Sequence, residues 1–274
     1  MFTLNCKGKL LTLDPPVVMG IINATPDSFY KGNINDDILA LAATMLADGA
    51  AILDIGGQST RPGSERISAE EELQRVLPVI QSIHAKFPDA IISIDTYSSI
   101  VASAAVQAGA AIVNDISAGT MDAQMLPTVA RLQVPYICMH MQGTPGSMQK
   151  DPHYDDVTKE VLDFFIAKVD ECKTAGITDI IIDPGFGFGK TITHNFSLLK
   201  KMEALSILGK PILAGISRKS TIYKTLQTTA DNALNGTTVL NTMALMSGAS
   251  LLRVHDVKEA KEAITLFTAY KKAP

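Results

Sequence analysis

The chain has 274 residues, 46% of them hydrophobic and 19% charged, enough to bury a full core as one large domain or two small ones. A formal net charge of −4 excludes a generally basic surface for nucleic acid. The opening MFTLNCKGKL breaks any signal-peptide core with polar groups, and no apolar run approaches membrane-spanning length. The expectation is a cytoplasmic protein with neither a nucleic-acid nor a membrane partner. Cys6, Cys138 and Cys172 lack C-x-x-C spacing and lie in apolar surroundings, which reads as three ordinary buried thiols.

In chain order, FTLNCKGKLLTL is two short alternating runs about Lys7-Gly8, the pattern of a β-hairpin able to plug one end of a barrel. VVMGIIN (17–23) is an apolar strand ending in Asn23, followed by a polar loop and a helical pattern over 36–48. The same strand-then-helix unit returns at 51–57 with 69–86, at 90–95 with 98–108, at 111–117 with 121–132, and at 134–140 with 156–175. TDIIIDPGFGFG (178–189) holds three consecutive isoleucines, a strand buried on both faces, and precedes a helix over 193–208. PILAGIS (211–217), roughly two helices, SLLRVHD (250–256) and a last helix over 257–270 complete the series.

About eight strands alternating with helices predict an α/β protein, a (β/α)₈ (TIM) barrel with an N-terminal β-hairpin, treated as a single domain over 1–274. An open doubly wound sheet is the competing architecture. In a barrel the strand C-termini meet at one rim, and here they carry Asn23, Asp54, Asp95, Asn114, His140, Asp183, Lys219 just beyond Ser217, and Arg253 with His255. Stability alone does not call for so many hydrogen-bonding strand ends, so the rim reads as an active site.

Asp183 stands where apolar backbone gives way to Pro184, so its charge must be paired, by a ligand or by a structural partner such as a neighbouring helix or Lys190. Arg253 and His255, one residue apart on a strand, project to the same face and suit an anion; the alternative for Arg253 is a buried acid such as Asp54. The loops ATPDSFYKGN and GGQSTRPGSERIS read as lids. GFGFG at 185–189 is a tight turn bringing Phe188 to the site, and Lys219 is an ion-pairing donor or a Schiff-base nucleophile. His84, His153 and His194 fall on expected surface, and no H-E-x-x-H spacing points to a permanent zinc site.

NATPDSF, DIGGQSTRPG, ISID, NDIS, MHMQGTP, DPGFGFGK, GISRKS and RVHD occur in the order and approximate spacing of the dihydropteroate synthase family, which the chain resembles over essentially its whole length. The resemblance implies condensation of 6-hydroxymethyl-7,8-dihydropterin diphosphate with 4-aminobenzoate, a homodimer, and Mg²⁺. Carried over, Asp95, Asn114, Asp183 and Lys219 resemble the pterin pocket; Asn23, Arg61, Arg253 and His255 the diphosphate site, with Asn23 also the Mg²⁺ contact; and Thr60, Arg61, Phe188, Lys219 and Ser220 the aminobenzoate walls. Asp95, Lys219, Arg253 and His255 are then the catalytic set, for a dissociative reaction in which the C–O bond to diphosphate breaks before the amine attacks.

Some positions depart from the commonest pattern of the family. Gln58 stands where many members carry Glu, and Tyr30-Lys31-Gly32-Asn33 replaces a Ser-Asp-Gly-Gly run. Both bear on the lids rather than on the reaction. A pterin-binding methyltransferase domain, a Schiff-base aldolase using Lys219, and a non-catalytic pterin-binding paralogue remain the competing expectations.

Overall fold

A computed structural model describes residues 1–25, 34–59 and 66–274. Eight parallel strands close into a barrel: β3 (Val17–Asn23), β4 (Ala50–Gly56), β5 (Ile91–Asp95), β6 (Ile112–Asp115), β7 (Tyr136–Met139), β8 (Ile180–Asp183), β9 (Ile212–Ala214) and β10 (Ala249–Val254), with β10 pairing back to β3. Helices α1 (Ile34–Ala47), α2 (Ala69–Lys86), α3 (Ser99–Ala108), α4 (Met125–Leu132), α5 (Val157–Ala175), α6 (Ile192–Lys200), α7 (Ser220–Thr225), α8 (Leu234–Met246) and α9 (Val257–Lys272) follow the strands. The barrel expected from the strand-helix alternation is therefore the fold, and the open sheet is ruled out. Among the described residues, no helix is long and apolar enough to cross a membrane.

Period-two alternation along each strand sorts the barrel into layers. Met19, Ile52, Ile91, Ile112, Ile137, Ile181, Leu213 and Leu251, one residue from each strand, form an inner apolar ring. Leu4, Cys6 and Leu13 from the hairpin β1 (Thr3–Cys6) and β2 (Lys9–Thr12) and its exit belong to the same cluster. The hairpin thus plugs the barrel, as its sequence suggested. Its polar groups anchor it to the strand N-termini: Asn5 N donates to Asp179 Oδ2 at 2.8 Å, and Lys9 Nζ to the Ala90 carbonyl at 3.4 Å. Residues of opposite parity, including Val18, Ile22, Leu53, Ile92, Val113 and Cys138, face the helices in a separate outer core. All three thiols are free and buried.

Two departures from the expected elements have local causes. The helix expected from 121 begins at Met125, because Asp122 engages backbone donors first: its Oδ1 accepts from Gln124 N at 2.9 Å in an Asx-type turn, and its Oδ2 from Ser99 N at 2.7 Å. The helix expected over 193–208 is α6 followed by a 3₁₀ segment, Met202–Leu208, since Lys201 at φ −107° leaves helical geometry. The 230s hold α8 and the 220s hold α7, the two helices anticipated between the last strands.

Candidate active site

Two residues beyond the apolar ring, the inward positions become Ile21, Asp54, Ser93, Asn114, Met139, Asp183, Gly215 and Arg253; two further on stand Asn23, Asp95, Ile116, Ser217 and His255. The strand repeat that makes a dry floor below makes a polar tier above it. Asn23 is exposed at the end of β3, and His255 is exposed one residue past β10. The shared parity of Arg253 and His255 is therefore real, although β10 stops at Val254. His140 and Ser217 likewise lie just past the strands predicted to contain them.

Arg253 is the hub of the tier. Its Nε donates to Asp54 Oδ2 at 2.6 Å and its Nη2 to Asp95 Oδ2 at 2.5 Å. Asn114 Nδ2 donates to the same Asp54 oxygen at 3.1 Å. The buried-acid partner considered for Arg253 does exist, and it belongs to the rim rather than replacing it. Burial works against the charge of Arg253, but Asp54 and Asp95 more than offset this and raise its pKa further. Burial raises the Asp95 carboxyl above the usual range; Arg253 opposes the rise and Asp54 adds to it. Asp54 Oδ1 and Ser93 Oγ, on residues paired across β4 and β5, are buried without hydrogen-bond partners among the described residues.

Asp183 neither caps a helix nor bonds to Lys190. Its Oδ1 accepts from Gly185 N at 2.8 Å, and burial raises its pKa against the opposing charge of Lys219. A Cβ built on Gly215 would sit 3.8 Å from both Asp183 Oδ2 and Lys219 Nζ, so the missing side chain leaves these two groups facing one space. Burial lowers Lys219 to about 8. Its ammonium donates to the Phe186 carbonyl at 2.6 Å and lies 4.7 Å over the Phe188 ring. Ser220, the first residue of α7, adjoins it and is half-buried. Phe188 packs with Tyr97, Ile116, Met139, Met121 and Met141, an apolar wall opposite the charged one.

On the β9–β10 side, His255 N donates to Ser217 Oγ at 3.2 Å, and its Nδ1 lies 3.0 Å from the same hydroxyl. Arg218, at φ 55°, forks onto Asp256 with 2.7 and 2.8 Å bonds and ties the two loops together. Thr60 and Arg61, and the departure at Tyr30 to Asn33, lie outside the described residues. Gln58 accepts a hydrogen bond from Tyr97 OH at 2.8 Å. His194 caps α6 by accepting from Thr191 N, a structural use, whereas His140 serves buried Lys190.

A flat, donor-rich edge can therefore meet Asp183 and Asn114, an apolar ring can lie against Phe188, and an anion can meet Arg253 and His255 in the same mouth. Residues 19–255 match the pterin binding enzyme family model. A dihydropteroate synthase from Escherichia coli K12 is 42% identical over 268 residues, 96% of this chain and 94% of that one. The chain belongs to the dihydropteroate synthase family of pterin-binding enzymes. Among solved structures, a Xanthomonas albilineans dihydropteroate synthase with 4-aminobenzoic acid superposes with a TM-score of 0.93 at 42% identity, covering 99% of each chain. A Yersinia pestis dihydropteroate synthase in complex with a sulfonamide drug gives a TM-score of 0.94 at 40% identity, covering 99% of this chain and all of that one.

Within this family site, Asp54, offered by the sequence only as a structural partner for Arg253, is a full member of the tier; its parity, two positions beyond Ile52 of the apolar ring, is the signal that it points inward with Asn114 and Asp183. Lys190 and its contacts with the GFGFG loop were also unassigned.

Proposed function

We propose that this protein is a dihydropteroate synthase that joins 6-hydroxymethyl-7,8-dihydropterin diphosphate to 4-aminobenzoate, releasing diphosphate, as a step of folate biosynthesis. The observation that carries the reading is the Arg253 hub, which links a carboxylate wall to a cationic rim in one opening. Asp183, Asn114, Asp54 and Lys219 hold the pterin: its amidine-like edge supplies paired donors to a carboxylate, and Lys219 meets the acceptor side of the ring. Phe188, Ser220 and Lys219 border the aminobenzoate, and the family resemblance assigns Thr60 and Arg61, outside the described residues, to the same subsite. Arg253, His255, Asn23 and Arg61 receive the diphosphate. Arg253 uses Nε and one Nη2 hydrogen on carboxylates, which leaves three of its five guanidinium hydrogens for phosphate oxygens among the described contacts.

The reaction is dissociative. The methylene C–O bond breaks, its electron pair leaves on the diphosphate, and the positive charge spreads into the dihydropterin ring. Arg253 and His255 neutralise the leaving group while the Asp95 carboxylate stabilises the cation. The neutral amine then attacks the methylene carbon, and the acidic anilinium so formed passes its proton to water or to the released diphosphate. Asn23 fits Mg²⁺: a side-chain amide oxygen exposed at the rim is the hard donor this ion prefers beside substrate phosphates. When bound there, Mg²⁺ supplies charge to the diphosphate.

Residues 1–274 act as one domain, in the cytoplasm, and as a homodimer; exposed Val239, Met243 and Met246 on one face of α8 supply an apolar strip for a second copy. Sulfonamides are expected to compete with 4-aminobenzoate. The deciding assay measures diphosphate release with and without added 4-aminobenzoate. Release that does not depend on the amine defeats the proposal.

A further inference from the structure

We infer that Lys190 is a positioning residue that sets the aminobenzoate wall by holding the 185–189 loop from its buried, helix-facing side. Lys190 is only 3% exposed, and its hydrogen-bond partners are all neutral. The ammonium donates to the Gly185 carbonyl at 2.9 Å and the Phe188 carbonyl at 3.1 Å, and lies 2.9 Å from His140 Nδ1. A buried ammonium costs several kcal/mol unless hydrogen bonds and nearby charge compensate it. Here the nearby Asp183 carboxylate supplies the compensating charge and the loop carbonyls supply the hydrogen bonds, so burying the ammonium depends on the loop conformation.

The rest of the loop is held as fully. Five consecutive carbonyls, from Gly185 to Gly189, each accept from a side chain: Lys190 takes Gly185 and Phe188, Lys219 takes Phe186, Gln149 takes Gly187, and Tyr154 OH takes Gly189 at 2.9 Å. The backbone is also pressed against the segment after β7. A Cβ at Gly185 would fall 1.9 Å from the His140 carbonyl oxygen, and one at Gly189 would fall 2.4 Å from that of Gln142. His140 in turn is fixed edge-on to Phe164 at 4.9 Å. On its outer side the loop presents Phe188 and the Phe186 carbonyl, both in contact with Lys219. Lys190 therefore grips from below the strip of chain whose upper face meets the second substrate, while Asp183 keeps its own bond to Gly185 N and Asn114 its bond to Asp54.

The inference rests on the reading given under Proposed function, and the experiment separates the two. The parent, Lys190→Met and Tyr154→Phe are compared in steady-state assays with Mg²⁺, varying pterin diphosphate and 4-aminobenzoate in turn, alongside thermal melts. Lys190→Met should raise KM for 4-aminobenzoate about tenfold or more while KM for pterin diphosphate moves less than about threefold. Tyr154→Phe, which frees one carbonyl at the far end of the loop, should shift the same ratio in the same direction by about threefold. A general loss of stability lowers Tm without changing that ratio. Parallel rises in both KM values, or a fall in kcat alone, overturn the inference while leaving the reaction intact. A parent without amine-dependent release overturns both. Should Lys190→Met fail to fold, an unchanged ratio in Tyr154→Phe overturns the inference by itself.

Discussion

Asp54 is the residue on which the packing of the charged tier can be tested most directly. It is fully buried, and one of its oxygens accepts from both Arg253 Nε at 2.6 Å and Asn114 Nδ2 at 3.1 Å. Asp54→Ala orphans both donors and leaves the guanidinium to Asp95 alone. Removing one partner of a buried ion pair costs about 3–5 kcal/mol. A fifth of the Arg253 side chain is exposed, so the lower end of that range applies. Asp54→Asn keeps an acceptor oxygen where both donors point and loses only the charge assistance, about 1–2 kcal/mol. The two variants should therefore differ by about 2 kcal/mol in unfolding free energy, read from urea titrations at neutral pH with unchanged m-values. Both should weaken pterin diphosphate binding in calorimetry. An Asp54→Ala protein as stable as the parent would refute the claim that this carboxylate holds Arg253 in place.

Further outcomes are expected at three neighbouring positions. Asp95→Asn should retain diphosphate binding yet lose most turnover; turnover near the parent level removes Asp95 from the mechanism. Glu72, buried in the first turn of α2 with Oε1 unpartnered among the described residues, is raised by burial from the ordinary 4.5 to about 7. The folded chain then keeps a proton that the unfolded chain has released, so stability is lost as pH climbs from 4.5 to about 7. At about 1.4 kcal/mol per pH unit the penalty approaches about 3 kcal/mol above that window. Glu72→Gln should raise Tm at about pH 8 and leave it nearly unchanged at about pH 4.5, and an equal effect at both would count against the buried carboxylate. Because burial lowers Lys219 to about 8, its proton is lost sooner than an ordinary lysine's, and kcat/KM should decline as pH rises through that value. Lys219→Arg, which stays charged, should flatten the decline; a parent profile that stays level well past that pH contradicts the assignment.

The period-two strands carry most of what could be read in advance. Once Ile52 and Ile181 are known to face inward, Asp54 and Asp183 must do so as well, and the hydrogen-bonding residues at the strand ends fall on one side of a single floor. What the alternation could not give was partnership. Arg253 and Asp54 are 199 residues apart in the chain, and only the barrel closure of β10 onto β3 brings them together. Reading their pairing as a structural alternative to a ligand site set up a choice that the molecule does not make. The role of Lys190 was hidden for a different reason: a lysine after a glycine run has no periodic pattern to betray burial, and its acceptors are backbone carbonyls, which carry no residue signature. The start of α4 was misplaced where a side chain captured the backbone first, as Asp122 does with Gln124 N.

The hairpin seal at the strand N-termini also fixes where the chain ends lie. Residue 1 enters beside the plug, and α9, starting just after β10 at the mouth, runs back down the outside of the barrel toward Pro274. Both termini leave from the base, so a tether, affinity handle or fusion at either one would hang beneath the molecule. Immobilised that way, the enzyme keeps its opening turned toward the solution, and substrate titrations on a sensor surface should match those in free solution.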